Sequence, residues 1–371
     1  MRARSTVRSR LLGVDAARAV AVAGMVMVHF GPNPIPDAGG GVFYGLAHGR
    51  ASVLFALLAG VGVALLFRGR IGERPGLLRG RLALRGALLL PLGLWLQGLD
   101  HSALVILQYY AVYFLFAALA LSLPDEWLIS LAAAFLVIGP VVFVLCRFAA
   151  PGLFMEDPAI LGDPIGQLVP DVLLSGAYPL ITWAAPLLFG MWLGRRDLSR
   201  IRWVLLGGGL VVAAAAALAS GWLVAEYGEP LVGAARFPEN DGFANLLSAE
   251  PHSQMPLWIL GAIGSSCAVL GGMLLLADLL PRLTWPLAAT GQLALTVYVG
   301  HLLLLHAAGE LVERETVPDA TLSVATFMLV AMAICSIWRL VFPRGPLEAI
   351  LAAPWKLVEN VVVRYSAGKS R

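Results

Sequence analysis

Repeated apolar runs of about 17 to 23 residues, set apart by short polar breaks, are the strongest constraint this chain places on its own fold. An α-helix of about 20 residues crosses a bilayer core and satisfies all its backbone polar groups internally, which an isolated extended segment cannot do. A transmembrane β-barrel would alternate apolar and polar residues within segments of about ten. The run from Val204 to Leu218, made of valine, leucine, glycine and alanine, shows no such alternation. Of 371 residues, 59% are hydrophobic and 13% charged, too few polar side chains to coat a soluble domain of this length. The reading is an all-α, polytopic membrane bundle of about ten transmembrane helices. Their spans are 15–30, 51–67, 84–99, 103–123, 127–148, 178–194, 203–224, 256–278, 286–308 and 321–342.

Basic residues orient these spans. Arg2, Arg4, Arg8 and Arg10 precede the first, and Arg68, Arg70, Arg74, Arg79, Arg81 and Arg85 fill or border the second connection. Later arginines and lysines fall on the same side, leaving only Arg50, Arg147, Arg236 and Arg314 opposite. The positive-inside rule makes the rich side cytoplasmic, with both termini there, and favours the cell membrane as the location. Most acids fall on the outer side, so the net charge of +3 conceals an asymmetry and implies no nucleic-acid partner. Anionic membrane lipids explain the basic loops better.

Asp15 and Arg18 interrupt the start of the first run, which reads as an uncleaved helix instead of a secretory signal. Cys146, Cys267 and Cys335, an odd count in apolar surroundings, read as packing residues and not as a disulfide framework. Two outer connections, 149–177 and 225–255, are long enough to fold over the bundle, and the first has a Pro/Gly/Asp pattern suited to turns and a short interfacial helix. The chain divides into a transmembrane domain, 1–345, and a tail, 346–371, whose apolar residues recur at near-helical spacing as in an amphipathic helix on the inner surface.

Candidate chemistry starts with Arg18 and His29. Eleven residues at 100° each return to within about 20° of the starting direction, so both share one helix face about 16 Å apart. Asp15 lies three residues before Arg18, within reach of an ion pair that would lower the cost of either charge near hydrocarbon. All six histidines fall on the outer side: His29 at the end of the first span, His48 before the second, His101 in the turn between the third and fourth, His252 before the eighth, and His301 and His306 within the ninth. Imidazole is the usual general base near neutral pH, so their convergence points to chemistry, whereas any one of them alone reads as an interfacial polar residue. Zinc is a poor match, because there is no HExxH and His301 and His306 stand about 140° apart on their helix.

The arginine-rich connection has two readings. Positive-inside topology already predicts it, while guanidinium groups also clamp phosphates, so a nucleotide-bearing donor would dock there. Neither a Walker loop nor a GxGxxG after a strand accompanies it, which disfavours a nucleotide-driven pump. Gln108 with Tyr109 and Tyr110, Thr182 with Trp183, and Gln292, Thr296, Tyr298 and His301 are polar residues inside spans that line a cavity or bond neighbouring helices.

Segments 10–30, 47–60 and 290–301 carry a family likeness. The first two, ArgLeuLeuGlyValAspAlaAlaArg through ValHisPhe and AlaHisGlyArgAlaSerValLeuPhe, resemble the start of bacterial heparan-alpha-glucosaminide N-acetyltransferase-like membrane proteins. ThrGlyGlnLeuAlaLeuThrValTyrValGlyHis resembles a late helix of related families, and the Arg18-x10-His29 spacing is similar to the first-helix signature of the broader membrane acyltransferase group. The resemblance implies a ten- or eleven-helix bundle that moves an acyl group, chiefly acetyl, from cytoplasmic acyl-CoA to an acceptor, usually a glycan, across the membrane. It also implies a catalytic histidine near the outer opening. The lysosomal members have asparagine at the position of His29 and place their histidine in the following loop, where this chain has the glycine run 39–41.

The expectation is therefore a membrane acyltransferase. His29, or His48, is the base or transient acyl carrier, and Arg50 stabilises the developing oxyanion. Arg18, Arg68, Arg70, Arg74 and Arg81 hold acyl-CoA, and Asp15, His101, Gln108, His252, Tyr298 and His301 hold the acceptor. No metal is called for. A homo-oligomer is compatible with this reading. Competing readings are a proton-coupled transporter using the same histidines and an inactive scaffold on the same fold.

Overall fold

A computed structural model describes residues 2–32, 41–68, 75–154, 157–227 and 243–355. Among these there is no strand. The chain runs through α1 (Arg2–Phe30), α2 (Gly41–Ala47), α3 (Arg50–Arg68), α4 (Pro75–Gln97), α5 (Leu107–Ala120), α6 (Asp125–Ala149), α7 (Ile165–Pro170), α8 (Leu180–Gly194), α9 (Leu198–Tyr227), α10 (Pro256–Leu279), α11 (Pro281–Gln292), α12 (Ala294–Val312) and α13 (Val317–Val341). Residues 346–355 form a further helical stretch; the rest of the tail, 356–371, lies outside the described residues.

This is a multi-pass membrane protein. Seven helices are long and apolar enough to span a bilayer, and the bent pair Ile165–Ser175 and Leu180–Gly194, at 55°, makes an eighth if taken as one span. The expected spans that miss this criterion do so for visible reasons. Arg79, Arg81 and Arg85 lie in the first half of α4, and α5 has only 14 residues. The 286–308 run breaks at Leu293: its second part, α12, is one of the seven, and only α11 falls short.

Helix α1 sits among α3, α10, α11 and α13, while α3 packs on α8, α4 on α5 and α9 on α10. Lipid tails are as apolar as leucine, so small residues that allow backbones to touch carry much of this association. A Cβ on Gly60 would strike the carbonyl oxygen of Leu187, and one on Gly190 would strike that of Leu57, so α3 and α8 meet backbone to backbone. Gly60→Leu is expected to destabilise the bundle by about 1–3 kcal/mol through overpacking. A lower thermal midpoint in detergent checks it, with Gly207→Ala, where a Cβ meets nothing within 4 Å, as control. Outward faces carry residues such as Trp203, Leu218 and Leu340, exposed by 64%, 75% and 76%, as suits contact with acyl chains.

Side chains tie the helix ends. At the basic end, Arg195 donates to the carbonyls of Leu121 and Leu123 and pairs with Asp125 at 2.9 Å. At the opposite end, the break before α8 is stitched by Tyr113 Oη donating to Tyr178 O at 2.6 Å and by Gln254 Nε2 donating to Ala177 O at 2.9 Å.

Candidate active site

The stripe on α1 links two distinct places. Toward the basic end, Arg18 pairs with Asp15, whose second oxygen accepts from Gln292 Nε2 at 2.9 Å; Gln292 Oε1 accepts in turn from Arg339 Nε at 2.6 Å. This chain across α1, α11 and α13 makes a charged first helix tolerable, because each carboxylate and guanidinium has a partner. Gly291 brings α11 against α1 at this level, since a Cβ there would run into the Asp15 carbonyl.

Arg18 also lines a cavity of about 270 Å³, together with Arg81, Arg85, Tyr110 and Glu348. Its remaining wall is largely apolar, including Phe55, Leu58, Val63 and Leu89. Arg81 and Arg85 stand four residues apart on α4 and so share a face. The Arg85 guanidinium lies 4.9 Å from the centroid of the Phe114 ring. Tyr110 is 4% exposed, and its hydroxyl has no hydrogen-bond partner among the described residues. Three guanidinium groups and a phenol without a partner, set in a largely apolar wall, suit an anionic molecule with an apolar arm.

Glu348, from the helical stretch after α13, reaches the N-terminus of α12. It accepts from the backbone N–H groups of Leu295 and Thr296, at 2.9 and 3.1 Å, and from the Thr296 hydroxyl at 2.6 Å. The break at Leu293 leaves those N–H groups without intrahelical partners, and a carboxylate at a helix N-terminus satisfies both them and the dipole. Glu348→Ala is expected to cost about 1–3 kcal/mol, the penalty of unsatisfied buried donors. The loss is read from the thermal midpoint, with Glu348→Gln recovering part of it.

At the other end of the stripe, His29 Nδ1 lies 2.9 Å from Nε2 of His301, with the rings stacked at 5.2 Å and 8°. His301 is 0% exposed, whereas His29 keeps some accessible surface. His48, before α3, meets His252 edge-on at 5.3 Å, and His252 stacks on Trp258 at 5.8 Å. His252 and Gln254 adopt positive φ of 60° and 68°, a backbone state that non-glycine residues occupy only when their surroundings impose it.

The cavity and the histidines are neighbours but not one chamber. Cavity-lining residues reach Leu107 and Tyr110 in the first turn of α5. Ile106, one residue before, donates its N–H to Tyr298 Oη at 3.1 Å, and the Tyr298 ring stands edge-on to His301 at 5.0 Å. Tyr298 thus touches His301 on one side and, through Ile106, the backbone next to the cavity-lining Leu107.

The other expected site residues are placed as follows. Arg50 opens α3 and does not line the cavity. Arg68 donates to the carbonyls of Arg195 and Arg196, at 2.9 and 3.2 Å, capping the end of α8 outside the cavity. Arg70 and Arg74 lie outside the described residues. The His101 ring donates to Leu96 O at 3.0 Å, and Gln108, fully buried, donates to Ala159 O at 3.5 Å. His306 donates to the Asp100 carbonyl at 3.3 Å and belongs to the rim. Among the described residues, no three His, Cys, Asp or Glu side chains are grouped so as to hold a metal ion, and the three cysteines are unpaired. Arg85 counts in the sequence only as one of the connection's arginines, and Glu348 is unmarked there. Arg85 could have been found from its i,i+4 relation to Arg81 within an apolar run, but nothing local marks Glu348 as a cavity residue.

A family model described as heparan-alpha-glucosaminide N-acetyltransferase, catalytic, matches residues 10–219. The chain belongs to that family. A second model, described as protein of unknown function (DUF418), matches residues 239–354. No individual curated protein matches the chain. As a member of a membrane acetyltransferase family, heparan-alpha-glucosaminide N-acetyltransferase, it is implied to use an acyl-CoA co-substrate. Both halves of the site draw on both matched segments: Arg18, Arg81, Arg85 and Tyr110 face Gln292, Leu295 and Glu348 around the cavity, and His29 faces His301.

Proposed function

We propose that this protein is a membrane-embedded acyltransferase of the cell membrane that moves an acyl group, acetyl foremost, from cytoplasmic acyl-CoA to an extracytoplasmic glycan. One observation carries the reading: a single face of α1 presents Arg18 to a cavity with two further arginines and His29 to a buried histidine partner. The arginines are suited to the phosphates of the donor, and the apolar wall to its pantetheine arm. Once the acyl end passes Tyr298, His29 takes the proton from an acceptor hydroxyl or amine as that atom attacks the thioester carbonyl. A carbon–oxygen or carbon–nitrogen bond forms, the carbon–sulfur bond breaks, and the proton passes from His29 to the leaving thiolate. Arg50, and His48 with His252, supply the acceptor side in this scheme, with Asp15 holding Arg18 and not touching the acceptor.

The test is to incubate purified protein with radiolabelled acetyl-CoA and a glycan panel, and to compare wild type with His29→Ala and His48→Ala. Label transfer that depends on His29 supports the reading. Absence of donor binding and transfer across a wide donor panel, together with substrate flux into proteoliposomes, would make the protein a transporter.

A further inference from the structure

We infer that His301 is a positioning residue that holds His29 in the tautomer able to act as a base; this inference rests on the acyl-transfer reading of the same site. His301 is wholly buried and touches no opening, so it cannot meet an acceptor, whereas His29 retains accessible surface. Nε2 of His301 lies 2.9 Å from His29 Nδ1, and the ring also stands against the backbone carbonyls of Val297 and Tyr298, one helical turn back.

One proton lies between the two nitrogens, and its position decides what His29 can do. If His301 donates, His29 Nδ1 is spent as acceptor and its Nε2 carries hydrogen, leaving no basic lone pair. If His29 Nδ1–H donates to His301 Nε2, the Nε2 lone pair of His29 is free to accept a proton. The partner of one ring nitrogen sets the state of the other, as a carboxylate does in hydrolytic triads. When His29 is protonated by the acceptor, its Nδ1–H remains bonded to His301, and the positive charge strengthens that bond. The Tyr298 ring, edge-on to His301 at 5.0 Å, closes the opposite side and restrains the buried imidazole.

The experiment compares His301→Phe and His301→Gln in the wild-type and His29→Ala backgrounds. Gln offers an acceptor oxygen near the position of Nε2, whereas Phe keeps the ring and removes the acceptor. His301→Phe is expected to lower kcat by about tenfold to a hundredfold, the worth of one hydrogen bond to a charged group, with KM for the donor unchanged. His301→Gln should recover much of the loss, and neither change should lower the residual rate further once His29 is alanine. A second readout needs no turnover: carbethoxylation of His29 by diethyl pyrocarbonate, followed by mass spectrometry, should slow several-fold in His301→Phe and not in His301→Gln. Equal losses in both backgrounds, or unchanged carbethoxylation in His301→Phe, would overturn the inference. If wild type transfers no acyl group while carbethoxylation follows the expected pattern, the acyl-transfer reading falls and the positioning of His29 stands.

Discussion

His29→Ala is expected to lower acyl transfer by about 10²- to 10⁴-fold, the usual contribution of a positioned general base, with donor binding retained. Separation of the two sites is the reason for that split. His29 does not line the basic cavity. Removing its imidazole therefore leaves the three arginines and the apolar wall intact. Donor titration by calorimetry and single-turnover transfer, measured on one preparation, check both halves. Loss of donor binding in His29→Ala would mean that the imidazole belongs to the donor site, and an unchanged rate would remove it from the chemistry.

Arg85→Gln is expected to weaken donor binding by about 30-fold, roughly 2 kcal/mol, as when one partner of a desolvated charge pair is truncated. Arg85 is the cleaner choice, because Arg18→Gln would also strip Asp15 of its ion pair and disturb the link to Gln292 and Arg339. Tyr110→Phe should have a smaller effect in the same direction, since the hydroxyl now lacks a partner and a donor group would satisfy it. Arg79→Gln is the control: Arg79 donates to Ser122 Oγ at 3.1 Å and does not line the cavity. Calorimetry with acetyl-CoA and with desulfo-CoA reads all three, and equal loss in Arg79→Gln and Arg85→Gln would reduce the arginines to a general surface charge. Competition by salt should be weaker inside the cavity than for an exposed basic loop, because low-dielectric walls limit screening.

Much of the layout was legible from the chain. Apolar runs of membrane length, the placement of arginines and the eleven-residue step from Arg18 to His29 are local properties of sequence and helix period. Where local composition and tertiary demand diverge, the reading blurred. The 286–308 run looks continuous because its residues are apolar, yet the chain turns at Leu293, and Glu348, more than fifty residues on, caps the new helix start. Arg68 looked like Arg81 in a list of arginines, but one end caps a neighbouring helix and the other faces a cavity. Helical phase is a property of a short segment; partnership across a bundle is not.

The same distinction runs through the site. Sequence alone determined that this is a membrane-spanning helical protein, that its basic and histidine-bearing ends are opposite, and that Arg18 and His29 share a face of one helix. Those conclusions depend on hydrophobic length, charge distribution and the 3.6-residue period, each carried by neighbouring residues. Only the tertiary structure decided that His29 meets His301, 272 positions away, and not His48. It also decided that Tyr298 contacts both His301 and the Ile106 N–H, next to the cavity-lining Leu107. Those partners are set by how α1, α5 and α12 pack, which depends on small residues and side-chain contacts distributed along the whole chain.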